Sequence, residues 1–224
     1  MPRLAALCLA LCLTPASAEE QNLAAESSGA AGAASRLVLA QRAYGQAMTS
    51  GDPVMLLAAI RLARGVTTRP AIAWERLTTA EPPTDQPAGR DGPPDPGGPA
   101  ALTILQGLAG EDPNLQDLVY DLDAQLPQGR VQVATIATAT LGGGGQDEWR
   151  MPLSGAVPAE IALIGDGDSP LGLTVADEGG AVVCALPPSP DPALCRFTPA
   201  RNGFFTVQVT NPGTVWNSYQ LIGN

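Results

Sequence analysis

The sequence predicts a segregated α+β fold: a small N-terminal α-helical region followed by a C-terminal antiparallel, jelly-roll-like β-sandwich. Three observations carry this. Apolar residues recur at three- and four-residue spacing between Leu37 and Leu126. After Pro127 the period falls to two, as in Val131-Gln132-Val133-Ala134-Thr135-Ile136 and in the Phe205, Val207, Val209 set. Turn signals such as Gly179-Gly180, Asn202-Gly203 and Asn211-Pro212-Gly213 divide the second half into short strands.

The chain opens on a secretory pattern. Arg3 gives a positive start, Leu4 to Leu13 an apolar run, and Ala16-Ser17-Ala18 a small-x-small cleavage site before Glu19. Residues 1–18 are therefore expected to be a signal peptide, too short to span a bilayer. Leu7 and Leu11 precede Cys8 and Cys12 where a lipobox needs a small residue, which argues against a lipoprotein. No later apolar run has membrane-spanning length. The expected address is the periplasm, with release to the medium as the other possibility.

Residues 19–34 are small and polar and are expected to be disordered. Residues 35–80 read as a helical hairpin region. Leu37, Ala40, Tyr44, Ala47 and Met48 share one helix face. Asp52-Pro53 starts a second helix, with Asp52 as cap and Pro53 in the first turn. Arg61 and Arg64 suit its C-terminal dipole, and Gly65 ends it. A third helical piece is expected over 71–79. Residues 81–99 are dominated by Pro, Gly and Asp and read as an exposed linker. Residues 100–127 return to helix, with Asp112-Pro113 repeating the earlier start. Residues 128–224 form the β-sandwich, with strands expected near 131–136, 148–153, 160–164, 171–175, 181–185 and 203–209.

Once residues 1–18 are removed, only Cys184 and Cys195 remain, so one disulfide is expected in an oxidising compartment. Four prolines lie between them, and the bridge reads as a structural staple. Acids outnumber bases by 22 to 12, which argues against nucleic acid or an anionic membrane as partner. The chain has no His and no Lys, so Ser-His-Asp, Cys-His, His-bound zinc and Ser-Lys chemistries are excluded. Carboxylate pairs such as Asp147 with Glu148, or Asp121 with Asp123, read as ordinary solvated acids. The glycines at 142–145 lack the Lys of a phosphate loop and read as a strand connection.

From about residue 146 to the end the rhythm is specific. "GDGDSPLGLTVADEGG" gives an acidic turn with Asp166 and Asp168, a strand ending in Asp177, and a Gly-rich turn. "CRFTPARNGFFTVQVTNPGTVWNSYQLI" gives a Phe-Thr-Pro stretch, a Gly-aromatic strand, an Asn-Pro-Gly turn and a last strand with Tyr219. Residues 146–224 resemble the bacterial pre-peptidase C-terminal (PPC) type of secreted β-sandwich. The resemblance implies a non-catalytic domain of the kind that accompanies secreted enzymes. It also makes Asp166, Asp168 and Asp177 the calcium candidates, since some members bind calcium at the acidic turn. Here Pro170, Leu171 and Gly172 stand where further oxygens are needed, and calcium needs six to eight. Turn chemistry is the expected role of these acids, and no metal or other cofactor is expected.

Trp216 and Phe204 point away from the Tyr219 and Leu221 register and are the candidate ligand platform. The protein is expected to be a non-enzymatic exported binding or interaction protein, its partner a protein or an envelope polysaccharide. Alternatives are an accessory subunit of a periplasmic enzyme and a carbohydrate-binding module.

Overall fold

Helix caps and strand alternation are visible element by element in the computed structural model, which describes residues 20–25, 30–80, 85–87, 89–124 and 132–224. The expected signal peptide lies outside the described residues. Helix α1 (Ala33–Ser50) ends at Gly51, whose φ of 66° suits a residue without Cβ. Helix α2 (Pro53–Arg64) starts on Asp52, whose carboxylate accepts the N–H groups of Val54 and Met55 at 2.9 and 3.1 Å. Asp112 repeats that cap one helical pair later, accepting from Asn114 at 2.9 Å. Between them lie β1 (Val66–Pro70), β2 (Glu75–Ala80) and α3 (Pro99–Ala109), and Asp112 opens α4 (Pro113–Ala124). Leu56, Ile60, Leu105, Val119 and Leu122 pack the helices together. Among the described residues no helix is long and apolar enough to cross a membrane.

The strands β1 and β2 correct the expectation of helix up to residue 80. Thr67, Thr68, Thr78 and Thr79 are β-branched and lose rotamer freedom in a helix. Their partners lie far along the chain: β1 pairs in parallel with β3 (Gln132–Leu141), and β2 pairs antiparallel with β4 (Gln146–Leu153).

The remaining strands are β5 (Ala159–Gly165), β6 (Leu171–Ala176), β7 (Val182–Ser189), β8 (Ala193–Phe197), β9 (Gly203–Thr210) and β10 (Asn217–Gly223). Sheet one has the order β1-β3-β10-β5-β8 and sheet two the order β2-β4-β9-β6-β7. Every pairing but β1 with β3 is antiparallel. Met151, Leu173, Phe205, Val207, Val209, Tyr219 and Leu221 fill the space between the sheets.

The two sheets differ on their outer faces. In β5 every residue but the last is buried. Ile161 and Leu163 face the sandwich core, while Ala162 and Ile164 join Val38 of α1 in a second apolar layer. A strand buried on both faces reads as a continuous apolar run. In β9 burial alternates, because only Phe205, Val207 and Val209 turn inward. Helix α1 lies on sheet one, packing against β5, β3, β8, β1 and β10, while α2 touches β1 and carries α3 and α4.

Two stretches expected to be loose are tied down. Asn22, within the stretch expected to be disordered, is fully buried. Its backbone N–H donates to Asp177 at 2.7 Å, and its side chain exchanges bonds with the Arg201 backbone. In the expected linker, Gln86 pairs its amide with both backbone groups of Gly143, at 2.7 and 2.6 Å. Ser218 Oγ donates to the Arg90 carbonyl at 3.0 Å. Side-chain amides and hydroxyls that satisfy backbone groups give a Pro- and Gly-rich stretch order without an apolar core.

Candidate functional site

The buried acids show what chemistry the fold leaves available. Asp147 is completely buried, not solvated as the sequence suggested. Its Oδ2 accepts from Arg76 Nε at 3.0 Å and from the Tyr219 hydroxyl at 2.6 Å, and its Oδ1 accepts from Thr78 Oγ1 at 2.7 Å. The Tyr219 hydroxyl in turn accepts from Trp149 Nε1 at 2.8 Å. Burial first, then the bond to Asp147 and its negative charge, push the Tyr219 phenol far above its usual range. This hydroxyl keeps its proton and acts as a bridge between the sheets. The missed signal was parity: Asp147 is in phase with Trp149 and Met151, which turn inward.

Glu160 of β5 is equally committed. It accepts from Gly32 N, Ser35 N and Ser35 Oγ at 2.8, 2.9 and 2.6 Å. Arg196 Nε lies 3.3 Å from the same carboxylate.

The three calcium candidates do not meet. Asp166 lies just past β5 and accepts from Asp168 N at 3.0 Å and Ser218 N at 2.6 Å. Asp168 accepts the Arg90 backbone N–H and forms an ion pair with Arg90 Nε at 3.3 Å. Asp177 stands at the other end of β6, a separation of roughly 20 Å for a strand of that length. It accepts from Asn22 N, Gly179 N and Ala181 N at 2.7, 3.0 and 2.9 Å. Among the described residues no group of three or more His, Cys, Asp or Glu side chains is suited to hold a metal ion.

Cys184 and Cys195 are joined, with Cα atoms 6.1 Å apart. Cys184 lies on β7, the edge of sheet two, and Cys195 on β8, the edge of sheet one. The bridge therefore ties the two sheets along one side of the sandwich. Much of the proline-containing segment between them is strand, not the loop that its composition suggested.

The two platform aromatics are also separate. Phe204 begins the outward-facing positions of β9 and is 41% exposed. The Arg150 guanidinium stacks on it, its central carbon 3.5 Å from the ring centroid. An open depression of about 550 Å³ lies beside the pair, lined by Pro152, Ser154, Glu178 and Asn202 among others. Trp216 lies beyond the opposite end of β9, half-buried, with its backbone N–H directed to the Pro87 carbonyl at 3.4 Å.

Around Phe204 the outer face of sheet two is polar. One cross-strand row runs Glu75, Arg150, Thr206, Ala176, and the next runs Leu77, Glu148, Gln208, Thr174. Arg150 Nη1 reaches Glu75 at only 3.6 Å, and both side chains are more than half exposed. A guanidinium held flat on a ring keeps its donor fork oriented at little entropic cost.

No protein-family model matches the sequence, and no curated protein matches it. Among solved structures, the chain is similar to the pre-peptidase C-terminal domain of collagenase from Bacillus anthracis. The two are 15% identical, with 40% of this chain and 88% of that chain covered, at a TM-score of 0.34.

Proposed function

We propose that the protein is an exported, non-enzymatic binding protein that uses the open outer face of sheet two as its contact surface. The observation that carries this reading is the asymmetry of the sandwich. The outer face of sheet one is apolar and lies under α1, whereas that of sheet two carries Arg150, Phe204, Thr206 and Gln208. Contact surfaces of this kind combine an aromatic or Arg anchor with a polar surround. The non-catalytic part rests on the acids. Asp147, Glu160, Asp166 and Asp177 each accept bonds that hold the fold together. Export is supported by the secretory pattern of residues 1–18 and by the disulfide.

The experiment has two arms. Immobilised protein is exposed to periplasmic extract and, separately, to insoluble envelope polysaccharide, alongside the double variant Phe204→Ala, Arg150→Ala. A single retained partner that the double variant loses supports the reading. Equal retention by both forms contradicts it. A retained enzyme whose turnover changes on binding moves the reading to an accessory subunit.

A further inference from the structure

On the other side of the molecule, a cleft of about 290 Å³ lies between α1, the C-terminal end of α2, the outer face of sheet one and the segment at 94–97. It is distinct from the face proposed above. Its floor is aliphatic: Ile136, Ile164 and Ile222, the last two almost wholly buried. Protein layers normally close such a junction to crystal-like density.

Two residues at this junction break the local rule. Gln220 is in phase with Ile222 on β10, and its cross-strand neighbour is Ile164. An apolar side chain belongs at that position. Gln41 follows Leu37 by one helical turn, on the face of α1 that lines the cleft. Both glutamines are half-buried, and neither side chain has a hydrogen bond to any described residue. The amide N and O atoms of both stay open to solvent, so they stand in the cleft as available donors and acceptors. Where sequence departs from fold logic without a compensating contact, a functional role is the first explanation to test.

The charged lining limits the ligand. Arg64 donates to the carbonyls of Gly97 and Leu122 at 3.3 and 3.2 Å, and no described carboxylate pairs with it. Asp95 also lines the cleft, with one oxygen accepting from Gly97 N at 2.9 Å. The lining thus offers one cation, one anion, two amides and an aliphatic floor. Its volume lies at the small end of ligand pockets, enough for one compact molecule.

We propose that this cleft binds a free aliphatic α-amino acid. The carboxylate is taken by Arg64 and a glutamine N–H, the ammonium by Asp95 and a glutamine carbonyl, and the side chain by the isoleucines.

The test is calorimetric titration of the purified protein with L-leucine, paired with NMR of the isoleucine methyl groups. 4-Methylpentanoate, which lacks the ammonium, and 3-methylbutylamine, which lacks the carboxylate, are titrated in parallel. Leucine is expected to bind and to shift the Ile136, Ile164 and Ile222 methyls. Each analogue is expected to bind about tenfold more weakly or worse, the factor that ~1.4 kcal/mol carries. Gln220→Leu is expected to weaken leucine by a similar factor while melting at or above the wild-type temperature, a split that a purely structural glutamine does not give. Absence of heat and of methyl shifts at millimolar leucine overturns the proposal. So does binding of leucine and both analogues with equal affinity, which marks an apolar crevice without amino-acid recognition.

Discussion

Glu160 of β5 caps the first turn of α1, where Ser35 lies. The carboxylate takes both the backbone N–H and the hydroxyl of Ser35, at 2.9 and 2.6 Å, and reaches Gly32 N at 2.8 Å. Helix α1 has no side-chain cap of its own at Gly32. A strand of the sandwich therefore supplies the acceptors that a helix normally finds next to itself in sequence. Glu160→Ala is expected to cost about 2 kcal/mol, from the lost cap and the buried donors left unsatisfied. Urea denaturation followed by circular dichroism measures it, and a change below about 0.5 kcal/mol, the usual effect of a neutral surface substitution, contradicts the clasp.

Two glycines near that clasp separate packing from propensity. A Cβ on Gly32 meets Glu160 Oε2 at 2.8 Å, whereas nothing lies within 4 Å of one on Gly45. Gly45→Ala is expected to stabilise by up to about 1 kcal/mol, because exposed helix interiors favour Ala over Gly. Gly32→Ala is expected to destabilise. Melting temperatures of the two variants should move in opposite directions.

The disulfide joins the edges of two sheets over a sequence separation of 11. Replacing both cysteines by Ala is expected to cost about 3 kcal/mol through the freed unfolded chain. Chemical denaturation of the double variant against the oxidised protein measures this. Equal stability of the two forms rules out a staple.

Tyr219 links stability to alkaline pH. The chain has no Lys, so no side-chain ammonium titrates in the same range. The folded protein holds the Tyr219 proton more tightly than the unfolded chain, since burial and Asp147 raise its pKa. The stabilisation is therefore fully present below the unfolded pKa of about 10 and is lost as pH rises above it, by up to ~1.4 kcal/mol per pH unit. Tyr219→Phe is expected to be less stable at neutral pH, because Trp149 Nε1 loses its acceptor and Asp147 loses one of its donors. It is also expected to show a shallower alkaline decline. Parallel declines of the two proteins above pH 10 contradict the assignment.

Much of this arrangement was legible in the sequence, and the parts that were not share a cause. Asp52-Pro53 and Asp112-Pro113 act within one helical turn, so their caps can be read locally. The alternation of Phe205, Val207 and Val209 marks β9 in the same way. Strands β1 and β2 were hidden because Thr68 and Thr78 pair with Ala134 and Asp147, far along the chain. Asn22 was hidden because its order comes from hydrogen bonds to Asp177 and Arg201, not from apolar composition. Asp147 was readable from its phase with Trp149, but its charge suggested solvent. Phe204 was found as an exposed aromatic, whereas the Arg150 stacked on it is set by a cross-strand diagonal between β4 and β9.

Calcium tests the acidic turn. Asp166, Asp168 and Asp177 already accept N–H groups and lie at two ends of β6. Millimolar calcium is expected to leave the melting temperature unchanged. A site with a Kd of about 10 μM at ~1 mM calcium adds roughly 2.7 kcal/mol, a shift of several degrees. Such a rise, abolished by Asp166→Ala, overturns the reading of these residues as turn caps.

The role of the open face is tested most directly by hydrogen exchange of the protein with and without its retained partner. Backbone amides of β4, β6 and β9 are expected to gain protection, with Arg150, Phe204 and Thr206 at the centre of the footprint. Protection confined to the helices, with sheet two unchanged, contradicts the assignment of that face as the binding surface.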